Sequence, residues 1–468
     1  MRKRPSGFGA FTVIWAGQIL SALGTRMTNF ALSIWVWQRT GSATDMALMM
    51  VCGLGATVLF SPVAGSLVDR WNRRLTIVVS DVGSAIVTFV LLGLFLAGSA
   101  QMWHLYLVNV VTGALLAVQG PAFSATITVM MERGRYHQAN AMMWMVRTLP
   151  VIFAPAFAAT LLGVTGVNLI LLLDGLSYAV AVLAVFLVAL PATPTSDEPR
   201  AAVLRDAVYG FRYILQRRPL LALEGVLFSI SLLAAVGWAL LVPLVLARTA
   251  GDEAQLGVVQ TVGAFGGVLG GVLLGVLKAP RRKMTVVLTA ILGFSIFGRI
   301  LYGVGDSVLA WSAGLFFVHV FIPFIDGLAQ TIWQEKVEPA VQGRVFATRL
   351  FIENLSIPIG MLAAGPLADR VFEPAMRPGG TLAGRFGWLV GTGPGAGIGL
   401  MFVIVGVLGV VVGLAGWASP TVRDVETLVP DHDAVTPPPG AEPATEPAAE
   451  APAEAPAEPA AEPAVAAN

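Results

Sequence analysis

Eight polar residues interrupt stretches that are otherwise apolar over the length of a bilayer: Arg26 and Asn29, Arg147, Asp174, Arg299, Asp326, and Glu353 with Asn354. A charge at bilayer depth costs about 2.5–3.5 kcal/mol on insertion scales, so each such residue signals pairing or function. A carboxylate in that position is suited to taking up and releasing a proton. An arginine there is suited to answering a carboxylate or a substrate. A second concentration of charge is GSLVDRWNRR, residues 65–74, which places Asp69, Arg70, Arg73 and Arg74 close together in a chain only 12% charged.

The elements that position these residues follow from hydropathy. The chain has 468 residues, 56% of them hydrophobic, with a mean hydropathy of +0.77. A spanning helix needs about 20 mainly apolar residues, because each rises about 1.5 Å through a core of roughly 30 Å. Twelve such runs occur, at 8–37, 46–68, 75–97, 103–130, 139–162, 167–190, 219–247, 255–277, 284–304, 308–334, 344–367 and 396–417. The sequence therefore predicts an all-α, polytopic membrane protein. The run after MRKRPSGFG is too long for a signal peptide and is the first span.

The bridge 191–218 divides the spans six plus six, with halves at 1–190 and 219–418. It begins PATPTSDEPR and continues as AAVLRDAVYGFRYILQRR. The second piece sets Val203, Ala207, Tyr209, Phe211, Ile214 and Leu215 among arginines, as in an amphipathic helix on a membrane surface. From about Ser419 the composition changes. Glutamates recur every fourth residue from Glu442 to Glu462, but prolines interleave with them and forbid a continuous helix. Residues 419–468 are expected to form a disordered acidic Ala/Pro/Glu tail.

Orientation follows from the positive-inside rule. Segments on the N-terminal side hold 19 Lys/Arg, whereas the opposite loops hold five: Arg39, Arg248, Arg370, Arg377 and Arg385. Both termini are expected to be cytoplasmic, in the cell membrane, with GSLVDRWNRR inside between spans 2 and 3.

The halves echo each other at an offset of 209 residues. Arg39-Thr40 ends span 1 as Arg248-Thr249 ends span 7, and Gly134-Arg135 follows span 4 as Gly343-Arg344 follows span 10. GVLKAPRRK, 275–283, keeps the glycine, leucine and basic cluster of GSLVDRWNRR but lacks its aspartate. Such a repeat implies a pseudo-twofold axis along the membrane normal and a central cavity.

GSLVDRWNRR resembles the G-x-L-a-D-R-x-x-R-R signature of the major facilitator superfamily. Further stretches resemble its drug:proton antiporter branch, which includes macrolide-efflux proteins and siderophore exporters: GQILSALGTRMTNFALSIWVWQRTGSAT (17–44), GRVFATR (343–349) and GPLADRVFEPAM (365–376). The resemblance covers about residues 1–430. It implies the major facilitator fold, with spans 1, 4, 7 and 10 lining the cavity. Arg26, Asn29 and Asp326 are then the leading substrate or proton residues, followed by Glu353. Asp174 and Arg299 lie on peripheral spans and are expected to be structural. Arg147 is either a counter-ion to a carboxylate or substrate, or a structural partner.

The signature also has a physical reading. Span 11 begins at the cytoplasmic face, and a helix N-terminus stabilises a nearby carboxylate by about 0.3–1 kcal/mol. Asp69 is placed to meet that end and Arg344, so Gly65, Asp69, Arg70, Arg73, Arg74 and Arg344 form an expected cytoplasmic latch. GPLADR at 365–370 spells almost the same string, but it ends span 11 outside and is followed by Glu373, so it is no second cytoplasmic latch. The antiporter motif G-P-x-x-G-G of span 5 is represented by APAFAA, 154–159, with alanines for glycines. Gly263, Gly267, Gly271 and Gly275 form an expected packing face on span 8.

Other chemistries lack their residues. The four histidines show no metal-ligand spacing, and none of the four lysines is followed by Ser or Thr as a Walker A motif requires. No cofactor, no nucleic-acid partner and no enzymatic constellation is expected. The expected function is a monomeric secondary transporter that exports an amphipathic organic compound in exchange for protons. An uptake symporter, a lipid transporter and a non-transporting sensor or scaffold remain open alternatives.

Overall fold

The computed structural model describes residues 7–70, 73–130, 136–188, 209–277 and 280–431. For 62–70, Arg73, 120–130, 136–141, Met143, Trp144, Arg147, Pro339 and Ala340 it describes the backbone path alone. Twelve helices long and apolar enough to cross a membrane follow one another, and the described residues contain no strand. They are α1 (Gly7–Thr40), α2 (Ala43–Arg70), α3 (Arg73–Leu96), α4 (Met102–Met130), α5 (Tyr136–Thr165) and α6 (Val167–Leu187). The later six are α7 (Arg218–Arg248), α8 (Glu253–Val276), α9 (Lys283–Val304), α10 (Val308–Lys336), α11 (Pro339–Leu367, running on to Met376) and α12 (Ala396–Ala418). Each expected span is found, displaced at its ends by a few residues. Helical backbone is what a bilayer demands, because every N–H and C=O must be satisfied within its own segment.

Lipid is as apolar as leucine, so burial alone does not choose which helices meet; close backbone approach and polar ties do. In the first six helices α1 packs on α5 and α6, α3 on α4 and α6, and α2 on α4. The same set recurs six helices later, with α7 on α11 and α12, α9 on α10 and α12, and α8 on α10. The two groups meet chiefly through α2 with α11 and α5 with α8. Between α2 and α4 the contact is through Gly53 and Gly113, where Thr57 Oγ1 donates to both carbonyls at 3.0 Å.

The α8–α10 contact corrects the glycine row. A Cβ at Gly266 or Gly270 would fall on the carbonyl oxygen of Phe316 or Val320, and one at Gly263 on the side chain of Leu315. Gly271 and Gly275 have nothing within 4 Å of an added Cβ. The packing face is thus 263, 266 and 270. Spacings of three and four keep to one side of a helix, whereas a strict row of four drifts off it. The APAFAA segment does serve as a small surface: Gly257 of α8 approaches so closely that an added Cβ would sit 3.0 Å from Ala159 Cβ and 3.3 Å from Pro155 O.

Two segments outside the spans pack on the core. Residues 209–216 of the bridge are helical, but Tyr213 and Ile214 are buried in the main core and Phe211 stacks edge-on to Phe351 at 6.4 Å. This end of the bridge packs on α11 while Tyr209, Phe211 and Leu215 stay exposed; Val203 and Ala207 fall outside the described residues. Residues 420–431, expected as part of the disordered tail, are packed as well. Pro420–Arg423 and Val425–Leu428 are short helices, and Val422, Val425 and Val429 join the core. Glu426 accepts the backbone N–H of Met284 at 3.0 Å, and Lys336 Nζ meets Asp431 at 2.5 Å. Three valines at helical spacing give residues 420–431 an apolar face that the Ala/Pro/Glu repeat lacks. Residues 432–468 lie outside the described residues. Asp252 caps α8, and the N–H of Gln255 above all holds its carboxyl below the ordinary aspartate range.

The glycine contacts make a paired prediction. Gly270→Ala drives a methyl into a backbone carbonyl and should lower the melting temperature of the purified protein by several degrees. Gly271→Ala, one position along, should leave it unchanged. Equal effects would show that α8 does not pack on α10 through this face.

Candidate functional site

The expected site residues fall into two environments. Asp174 and Arg299 are buried, as their peripheral spans imply. Asp174 accepts from Thr25 Oγ1 at 3.2 Å, and Thr25 also meets the Tyr178 hydroxyl at 2.8 Å. Gly24 makes room, since a Cβ there would collide with Ser177 and Asp174. A second carboxylate, Asp81, is held by two amides: Gln18 Nε2 at 3.1 Å and Gln119 Nε2 at 2.6 Å. Arg299 lies in a π-helical turn of α9, Phe294–Ile300, with its guanidinium over the rings of Phe294 and Phe402 and donating to Ala234 O at 3.2 Å. Gly237 of α7 leaves the space that the guanidinium fills. These are internal ties.

Asp326, Arg26 and Asn29 are exposed, although each lies well inside a spanning helix. Asp326 on α10 is within electrostatic reach of Arg349 and Glu353 on α11. Arg349 is the centre of the arrangement. Its Nε donates to Glu353 Oε1 at 2.8 Å, one helical turn on, and lies 3.8 Å from Glu224 Oε2 of α7. Its other arm donates to Gln330 Oε1 at 2.6 Å, and Gln330 is one turn beyond Asp326 on the same face of α10. The ring of Trp333 lies 5.6 Å from the guanidinium carbon. Two carboxylates thus flank one guanidinium, and a third, Asp326, lies within its electrostatic reach. Glu224 is buried, and neither of its oxygens has a hydrogen bond among the described residues.

The structure brings Asp326 and Glu353 together but adds no Arg26. Among the described residues Arg26 forms no ion pair with either, and the charge beside these acids is Arg349. Glu224 and Arg349 were missed. GRVFATR attracts attention as a motif at the start of a helix, whereas Arg349 lies ten residues inside α11 and is buried. The usable signal was Arg349 with Glu353, an i,i+4 pair of opposite charge inside an apolar run. The side chain of Arg147 lies outside the described residues, and so do those of Asp69, Arg70 and Arg73 around Gly65. Arg74 turns to α6, donating to Phe186 O at 3.2 Å with its guanidinium over the Phe186 ring. Arg344 is exposed, 5.7 Å from the Tyr209 ring.

Twelve spans in two groups with the same contact pattern, and an ionisable cluster inside the later group, set the frame for comparison. The sequence profile of the Major Facilitator Superfamily matches residues 14–361. The chain belongs to that superfamily. Macrolide efflux protein A of Streptococcus pyogenes is 25% identical over 373 residues, covering 77% of this chain and 90% of the relative. The enterobactin exporter EntS of Escherichia coli is 24% identical over 348 residues, covering 72% and 80%. Among solved structures, a bacterial homologue of the lysosomal transporter Spinster matches with TM-score 0.63 and 15% identity over 90% of this chain and 97% of that one. The nucleoside transporter NupG matches with TM-score 0.66 and 12% identity over 87% and 98%. These structural likenesses place the fold. The protein is a multi-pass superfamily transporter of the membrane.

Removing one member of a buried pair typically costs about 3–5 kcal/mol, because the partner is left charged without an answer. Arg349→Met should therefore lower the melting temperature in detergent markedly. Adding Glu224→Gln to it should recover part of the loss, a coupling that a thermal-shift double-mutant cycle measures. Strict additivity would show that the two groups do not interact.

Proposed function

We propose that this transporter exports an amphipathic organic compound across the cytoplasmic membrane in exchange for protons. It works as a monomer by alternating access between two six-helix halves, with both termini cytoplasmic. The observation that carries the reading is the α7–α10–α11 cluster, in which Glu224 and Glu353 flank the Arg349 guanidinium and Asp326, within its electrostatic reach, is the exposed acid. Like charges gathered round too few counter-charges favour proton uptake, and the acid open to solvent is the one a substrate can also reach. Protonation of Asp326 removes the charge that holds a cationic or polar substrate, so proton and substrate exclude each other. Glu353 is held in place by Arg349, and Arg26 and Asn29 supply polar contact from α1. The names of the macrolide and enterobactin exporters support export of an organic substrate.

Asp326→Asn imitates the protonated acid. Vesicles loaded with a macrolide as first test compound should lose all response to an imposed pH step in this variant, while downhill movement persists. Uphill pumping equal to that of the unaltered protein would make Asp326 structural.

The second part of the proposal concerns Asp69. α2 and α11 are packed neighbours, which supports a latch between Asp69 at the end of α2 and the start of α11 near Arg344. Asp69→Asn should then reduce transport more than substrate binding, because it biases the conformational equilibrium and leaves the cavity intact. Binding affinity falling in step with transport would remove the latch from the mechanism.

A further inference from the structure

GPLADR, 365–370, repeats the residue types of GSLVDR, 65–70, and each string closes one of the two neighbouring helices α2 and α11. The two helices are antiparallel, since the end of α11 meets the start of α2. There the backbones touch: a Cβ on Gly365 would lie 2.5 Å from Thr44 Cα and 3.1 Å from Ala43 O. Four residues on, α11 passes into a π-helical turn, Ala368–Phe372, that carries Asp369.

The Asp369 carboxylate is committed to the first turn of α2. Its Oδ1 accepts the backbone N–H of Ala43 at 3.1 Å. Its Oδ2 accepts the N–H of Thr44 at 2.8 Å, the Thr44 hydroxyl at 2.6 Å and the Ser42 hydroxyl at 2.9 Å. Ser42 Oγ in turn accepts the N–H of Asp45 at 3.1 Å, as an N-cap does. The first N–H groups of a helix have no partner within it and carry its positive end. In α2 they are answered by a carboxylate more than three hundred residues away, from the other group of six helices. A second bond crosses at the same end, from Gln38 Nε2 of α1 to Glu253 Oε1 of α8 at 2.7 Å. By contrast, Glu373 caps a helix of its own group, accepting the N–H of Ile398 at 2.9 Å.

We propose that Asp369 is a latch that holds the two six-helix groups together at the end where α2 begins, and that it releases when the cavity opens to that side. The inference rests on the alternating-access reading. It gives α2 and α11 one aspartate at each end of their shared seam, with Asp69 serving the opposite face. The rejected string GPLADR is thus no cytoplasmic latch, but a latch at the far end.

The test uses the full chain with its single cysteine replaced, Cys52→Ala, and spin labels at Ser99→Cys and Thr381→Cys. Both positions are exposed, in loops at the α2-start end, one from each group. Electron–electron distance measurement in lipid nanodiscs then reads the opening of that end without substrate or proton gradient. Asp369→Ala should shift the population toward the longer distance, raising the open-to-closed ratio about tenfold or more, the effect of losing a charge-assisted hydrogen bond. Asp369→Asn, which keeps one acceptor oxygen, should lie between. Ser42→Ala with Thr44→Val, which keeps the backbone donors, should also lie between and covers the case of an Asp369→Ala protein that does not fold. Distance distributions unchanged in all three would overturn the latch while leaving transport untouched. A shifted distribution in a protein that transports nothing would sustain the latch and sink the export reading instead.

Discussion

A polar side chain inside hydrocarbon has to find its partner on another helix, and this requirement fixes how the twelve spans sit. Backbone hydrogen bonds are satisfied within each helix, and lipid competes with every apolar contact, so neither selects neighbours. Asp81 ties α3 to α1 and α4 through two amides. Asp174 ties α6 to α1, Arg299 ties α9 to α7, and Arg349 ties α11 to α10 and α7. Glycines then allow the tied helices to approach. Gly24 leaves room for Asp174 and Gly237 for the Arg299 guanidinium, so tie and gap are one device.

The polar ties differ between the two groups, and the difference locates the chemistry. In the first group the described carboxylates are held by amides and hydroxyls, which cannot carry a charge of either sign. In the second, Arg349 supplies a fixed positive charge among Glu224, Glu353 and Asp326. An amide or hydroxyl tie offers a carboxylate no counter-charge, whereas a guanidinium couples every acid that it touches. In the proposed exchange the proton-sensitive acid is accordingly placed on the side of α7, α10 and α11, although the two groups share one packing scheme.

The spans, their number and the six-plus-six pattern were legible because length and hydropathy are set by the bilayer and not by neighbours. Asp326 and Glu353 stood out for the same reason: a carboxylate in an apolar run is visible in one dimension. Arg349 and Glu224 were not, because in the spans expected at 344–367 and 219–247 each stands close enough to the start to pass for a boundary residue. Only the approach of three helices shows Arg349 and Glu224 to be buried together. The glycine row failed for a related reason. Sequence gives the period of a face, but the direction of the partner helix decides between 263, 266, 270 and 263, 267, 271. The three valines at 422, 425 and 429 carried a readable helical spacing that the acidic repeat beyond them obscured.

Antiparallel neighbours with a carboxylate at each end suit a seam that must open at alternate sides. A cap of this kind contributes about 0.5–2 kcal/mol, which matches the few kcal/mol separating conformations that exchange readily. A deep apolar interlock at the same place would be too costly to break in each cycle, and a bare contact of small residues would hold neither state. Beside the Asp369 bonds Gly365 meets Ala43 and Thr44, and at the separate α5–α8 contact Gly257 meets Pro155 and Ala159. They fit closely without interdigitating, so parting them leaves no large side chain stranded. The carboxylate supplies the hold, the small residues supply the freedom to part, and the charged cluster around Arg349 lies apart from both. In the proposed cycle the coupling between cluster and latch runs along α11, which carries Arg349, Glu353 and Asp369 on one helix.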